Sequence, residues 1–201
     1  MRMRFLIAVL GFGLSSVACI RTDSLYPLVL AEDSRLDESL VGTWVEVRQG
    51  KRNDDGEQYF VVEAASEHEY RITFISGGDE EKPIVLMARR QILGGKEYVD
   101  VHVDEEQITL LKDPALVFSR SFHAFARIQR NEDGLLVQVL DGQVLGELVE
   151  VGESAEWNGL RLTRPGEHDI LLISGTSALQ KFFASRHADK VLMPGMLVRK
   201  K

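Results

Sequence analysis

The sequence predicts a mainly β fold: a single antiparallel sheet, closed into a barrel of about eight or nine strands, with one helix near the C-terminus. Three observations carry this reading. From Leu40 onward, short runs alternate apolar and polar residues, which is the period of strands with one face in a core. Turn residues part those runs at hairpin spacing, among them Asn53-Asp54-Asp55-Gly56, Gly77-Gly78, Gly94-Gly95 and Asn131-Glu132-Asp133-Gly134. So many strands in one domain would leave unpaired edges, and closing the sheet removes them. A barrel of about eight strands can be filled by side chains or hold one small apolar ligand.

Taken in order, residues 1–18 come first, with Arg2 and Arg4, the apolar run Phe5 to Leu14, and the small residues Ser15, Ser16 and Ala18. These are the parts of a removable export signal. The apolar run is about half of the roughly 20 residues needed to span a bilayer. Residues 19–39 are polar and mixed with little periodicity and suit a tether, which places the domain at 40–201.

The first strand is read over Val41 to Val47, including Gly42 and Trp44. Tyr59 to Ala64 and Tyr70 to Ile75 follow, then Pro83 to Ala88 and Tyr98 to Val103 joined through Gly94-Gly95. Asp104 to Phe118 is irregular and broken at Pro114. Phe122 to Arg130 and Leu135 to Leu140 read as a hairpin, and Asp141 to Val151 as a short helix or a loop. Leu160 to Thr163 and Ile170 to Ile173 are expected to end the strand series. The helix is expected over about 176–188, capped by Thr176 or Ser177 with Gln180 completing a capping box, and with Leu179, Phe182 and Phe183 on its apolar face.

Charge narrows the function classes. The formal net charge is -7, and loss of a leader holding Arg2, Arg4 and no acid would take it to about -9. Such a balance repels phosphate backbones, so no nucleic-acid partner is expected. Nothing in the chain asks for catalysis. No serine sits in a Gly-x-Ser-x-Gly elbow, and Gly94-Gly95-Lys96 lacks the spacing of a phosphate loop. The pairs Glu80-Glu81 and Glu105-Glu106 read as solvated faces. No enzyme activity and no cofactor are therefore expected.

The one metal-like pattern is Asp100, His102 and Asp104, which a strand would place on one face. With a fourth ligand they could hold a divalent ion. The preferred reading is a polar outer face opposite Val99, Val101 and Val103, so no metal is assigned. His123 reads as a partly buried histidine bonded to backbone, and His68, His168 and His187 as loop and helix-end residues.

Ser16-Val17-Ala18-Cys19 closes the leader, and here the chain resembles a bacterial lipoprotein precursor. The resemblance implies that Cys19 is lipid-modified and becomes the first residue. It also implies outer-membrane sorting, since Ile20 rather than Asp follows the cysteine. Cys19 is the chain's one cysteine, so no internal disulfide competes for it. Several acyl chains would anchor the protein firmly where one would be marginal.

At Leu40-Val41-Gly42-Thr43-Trp44 the chain resembles the opening strand of lipocalins and related calycin barrels. In that family the Gly-x-Trp tryptophan plugs the closed end and a basic residue of the last strand stacks on it, a role open to Arg161, Arg164 or Arg199. Thr176 to Phe183, with His187-Ala188-Asp189, also resembles the C-terminal helix of uncharacterised bacterial lipoproteins that open with Gly-Thr-Trp. The resemblance implies a lipid-anchored, lipocalin-like domain that binds a small hydrophobic ligand or lipid. Tyr59, Tyr70, Ile72, Phe74, Leu86, Tyr98 and Phe125 are the side chains expected to line it, or to fill a solid core. The alternative is a non-catalytic interaction module that docks another envelope protein.

Overall fold

A computed structural model describes residues 20–47, 59–75, 83–103 and 122–201. The leader, Cys19, the turns at 53–56 and 77–78, Asp104 and the break at Pro114 lie outside the described residues.

The described strands are β1 (Arg21–Ser24), β2 (Gly42–Glu46), β3 (Tyr59–Ala64), β4 (Tyr70–Ile75), β5 (Ile84–Leu93) and β6 (Lys96–Val103). They continue as β7 (His123–Asn131), β8 (Gly134–Val139), β9 (Ser154–Trp157), β10 (Leu160–Gly166), β11 (Asp169–Leu172) and β12 (Met196–Lys200). Two α-helices among the described residues, α1 (Gly142–Gly146) and α2 (Thr176–Phe183), lie between the later strands. The short helix α1 resolves the open reading of 141–151, and the Asp141 carboxylate caps it by accepting from the amides of Gln143 and Val144.

Eight strands close a barrel. Strands β2 to β8 pair each with the next, β8 pairs β12, and β12 returns to β2, all antiparallel. The closing strand is therefore β12, which lacks a clear alternating signature, and not the pair expected at 160–163 and 170–173. Those two runs instead form β10 and β11 of a smaller sheet, β9-β10-β11-β1, which meets the barrel where Ser24 of β1 pairs with His123 of β7.

The span expected to be a tether, 19–39, is built into the fold from Arg21 onward. Strand β1 runs parallel to β11, and Leu28 and Val29 have no exposure at all. The physical reason is the short apolar run Leu28-Val29-Leu30, whose burial is worth about 1.5–3 kcal/mol per large side chain.

Two apolar cores result. One lies inside the barrel and includes Leu40, Trp44, Tyr70, Phe74, Leu86, Ala88, Val101, Ile128, Leu135 and Val198. The other lies between the outer wall of β6 and β7 and the smaller sheet with its helices. It gathers Leu28, Tyr98, Phe125, Leu162, Ile170, Leu179, Phe182 and Phe183 among others.

Helix α2 ends at Phe183, short of the expected residue 188, and a 3-10 turn over Arg186–Val191 continues the chain. No capping box forms, and Gly175 takes the N-cap position. Thr176 Oγ1 donates instead to Pro27 O (2.7 Å) and Gln180 Nε2 to Leu28 O (3.1 Å). Both side chains satisfy backbone carbonyls of the 27–28 strap, which a local box would leave without those donors. The β5–β6 turn locks the other end: Gly94 (φ +56°) and Gly95 (φ +77°) turn the chain as predicted. A Cβ at Gly94 would stand 2.3 Å from Ala184 O, so only glycine lets the helix end approach.

Candidate functional site

The barrel interior is apolar along its wall. Of the residues expected to line it, Tyr70, Phe74 and Leu86 are buried in the inner core and Ile72 packs against it. Tyr59, Tyr98 and Phe125 do not line it. Tyr59 neighbours Phe60, which packs inward, so its own ring points out and lies 5.5 Å from Lys201 Nζ. Tyr98 and Phe125 face the second core, each in edge contact with Phe183, with centroids 5.3 and 5.6 Å apart. Parity explains the reversal, since Val99, Val101 and Ile128 belong to the inner core and Ala126, buried and paired with Val99, takes the inward position with them. The Tyr98 hydroxyl donates to Phe183 O at 2.9 Å, and burial pushes its pKa up to about 12.

One end of the barrel is sealed. Trp44 is buried there, and its Nε1 donates to Leu40 O (2.8 Å) of the 3-10 turn Glu38–Leu40. The cation over its ring is Lys200, with Nζ 5.8 Å from the centroid, rather than any of the three arginines considered. Arg161 and Arg164 belong to β10 in the other sheet, and Arg199 points the opposite way along β12. Beside the tryptophan, a charged network crosses the end. Arg90 pairs with Glu97, and Arg130 donates to Asp37 Oδ2 (2.7 Å) and Glu97 Oε1 (3.2 Å). The Ser39 hydroxyl and these arginines hold the Asp37 carboxyl below the usual carboxylate range. At the opposite rim, the described ends of β2 to β7 are joined through residues 48–58, 76–82 and 104–121.

A second constellation stands on the outer wall. Asp100 and His102 of β6 share a face, as alternation requires, and His123 of β7 is the direct cross-strand partner of His102. Asp100 is fully buried. Its Oδ2 accepts from the amides of Leu28 (2.7 Å) and Val29 (3.1 Å), and its Oδ1 lies 2.7 Å from His123 Nδ1. His123 is thus bonded to a carboxylate rather than to backbone, and the outer face expected to be solvated is roofed by the N-terminal strap.

The two imidazole rings lie 5.4 Å apart. His102 Nε2 faces Glu69 Oε1 at 4.0 Å, while its Nδ1 is buried and has no hydrogen-bond partner. Burial, reinforced by His123, holds the His102 pKa below the ordinary histidine value, although Asp100 and Glu69 oppose the shift. Glu69 is itself oriented by Arg89, which donates from Nε at 2.8 Å. One ligand atom each from Asp100, His102 and His123 fall within 4.8 Å of one another.

No family model, curated protein or solved structure matches the chain.

The sequence pattern places Asp100 and His102 together, but pairs them with Asp104, which lies outside the described residues. It does not place His123, because only the pairing of β6 with β7 brings that ring across. No helix among the described residues is long and apolar enough to cross a membrane.

Proposed function

We propose that this chain is a lipid-anchored cell-envelope protein whose barrel receives a small hydrophobic ligand or lipid acyl chain. The observation that carries this reading is a closed eight-stranded barrel whose inner wall is apolar and whose one end is sealed. Trp44 with Lys200 and the Arg90-Glu97-Arg130-Asp37 network close that end, so a guest enters from the rim where β3 and β7 begin. Tyr70, Ile72, Phe74 and Leu86 are the expected contacts, and the binding is non-catalytic. The leader ending in Ser16-Val17-Ala18-Cys19 supports lipidation at Cys19 and an outer-membrane address.

Mass spectrometry on protein extracted from its native envelope tests the reading. A hydrophobe that co-purifies with the chain, and is displaced when Ala88→Phe fills the interior, is expected. A ligand-free mass in the unaltered chain overturns it. Incorporation of a fatty-acid analogue, abolished by Cys19→Ser, is expected for the anchor, and equal labelling of both chains refutes that part.

A further inference from the structure

We propose that Asp100, His102 and His123 form a binding site for a divalent transition-metal ion of the zinc class on the outer barrel wall, separate from the barrel interior. The donor set is two imidazoles and one carboxylate, which favours zinc-like ions over the oxygen-seeking calcium and magnesium. The three ligand atoms lie within 4.8 Å of one another. A tetrahedral ion with bonds of about 2.0–2.2 Å spaces its ligands by roughly 3.3–3.6 Å, so small side-chain rotations complete the site.

The surroundings orient these groups as metal ligands are oriented. The amides of Leu28 and Val29 occupy Asp100 Oδ2 and leave Oδ1 as the oxygen for the ion, which on binding displaces the proton shared between Oδ1 and His123 Nδ1 at 2.7 Å. The Glu69 carboxylate stands 4.0 Å from His102 Nε2, and its charge, without a direct hydrogen bond, favours the tautomer with the proton there. That leaves Nδ1 as the lone-pair donor, and it is the buried ring nitrogen without a hydrogen-bond partner. A structural ion pair explains Asp100 with His123, but it leaves that nitrogen of His102 unexplained. Three protein ligands leave a fourth position for water, the pattern of open zinc sites.

Metal binding by the full chain, solubilised in detergent and stripped by a chelator, tests this. Titration with Zn²⁺ alone should show one saturable site per chain. His102→Gln and His123→Gln should each weaken it by at least about 100-fold, and Glu69→Gln by about 10- to 100-fold. His168→Gln, in an exposed loop, should leave it unchanged. Absence of a 1:1 site, or an affinity in either ligand variant equal to that of the unaltered chain, overturns the proposal. If a variant loses its fold, paramagnetic Co²⁺ added to the unaltered chain decides. The ring resonances of His102 and His123 must both shift, and unmoved resonances overturn the site.

Discussion

Replacing Asp100 by asparagine tests how the N-terminal strap is held to the barrel. The carboxylate is fully buried, accepts two backbone amides at 2.7 and 3.1 Å, and meets His123 Nδ1 at 2.7 Å. Asparagine keeps the shape but has one acceptor oxygen and no charge. If that oxygen stays with Leu28 and Val29, the amide group faces His123, which must then turn its proton to the other ring nitrogen. Hydrogen bonds to charged groups contribute about 1.5–3 kcal/mol and neutral ones about 0.5–1.5, so three bonds together lose about 3 kcal/mol. Relief from burying a charge offsets part of this, and a net loss of about 1–3 kcal/mol is expected. Asp100→Ala leaves two amides and an imidazole without partners and should cost at least about 3 kcal/mol. Urea denaturation gives the stability change, and amide exchange at Leu28 and Val29 locates it. A loss for Asp100→Asn below about 0.5 kcal/mol, the range of surface substitutions, with unchanged exchange at both amides, would refute the reasoning.

Two further outcomes follow from the same physics. Trp44→Ala should cost about 3–5 kcal/mol, because it empties the sealed barrel end and removes the donor to Leu40 O; a shift in urea midpoint no larger than a surface substitution gives would show that the ring does not close the barrel. The second concerns pH at His102, which faces Asp100 on its own strand, His123 on β7, Arg89 on β5 and Glu69 before β4. Its folded pKa is depressed, so the unfolded chain binds the proton more readily. The stability it contributes is full above the ordinary histidine value of about 6.5 and is lost as pH falls from there toward the folded value. In the metal-free chain His102→Gln should flatten the stability profile as pH falls below about 6.5, and an identical slope in both chains would show that this ring does not titrate with folding.

The alternating runs between Tyr59 and Leu140, with turns such as Gly94-Gly95, predict each described barrel strand of that stretch from local chemistry alone. Pleat and turn geometry act over a few residues, so the strands and their hairpin partners are legible in the sequence. Two things were not legible. The strand that closes the barrel, Met196–Lys200, carries little alternation, while Leu160 to Thr163 alternates and Ile170 to Ile173 is a clear apolar run, and yet both build the second sheet. Which strand closes a barrel depends on long-range pairing, and local period carries no record of it.

The candidate metal site divides in the same way. Alternation along β6 by itself puts Asp100 and His102 on one face, opposite Val99 and Val101. Only closure decides which face points inward. On β6 and β7 the interior takes Val101, Ala126 and Ile128, beside Trp44, Tyr70 and Phe74 from the other strands, and Tyr98, Phe125, Asp100 and both histidines face outward. There β7 brings in His123, and the strap 20–30, read from sequence as a tether, covers the carboxylate with two amides. The sequence by itself determined the β class, the turns at Gly94-Gly95 and Asn131–Gly134, the late helix and the Trp44 strand. The tertiary structure alone decided where the barrel closes, which aromatic rings enter it, and that an Asp-His-His group with a buried carboxylate and two half-buried rings stands outside it, because each depends on partners far apart in the chain.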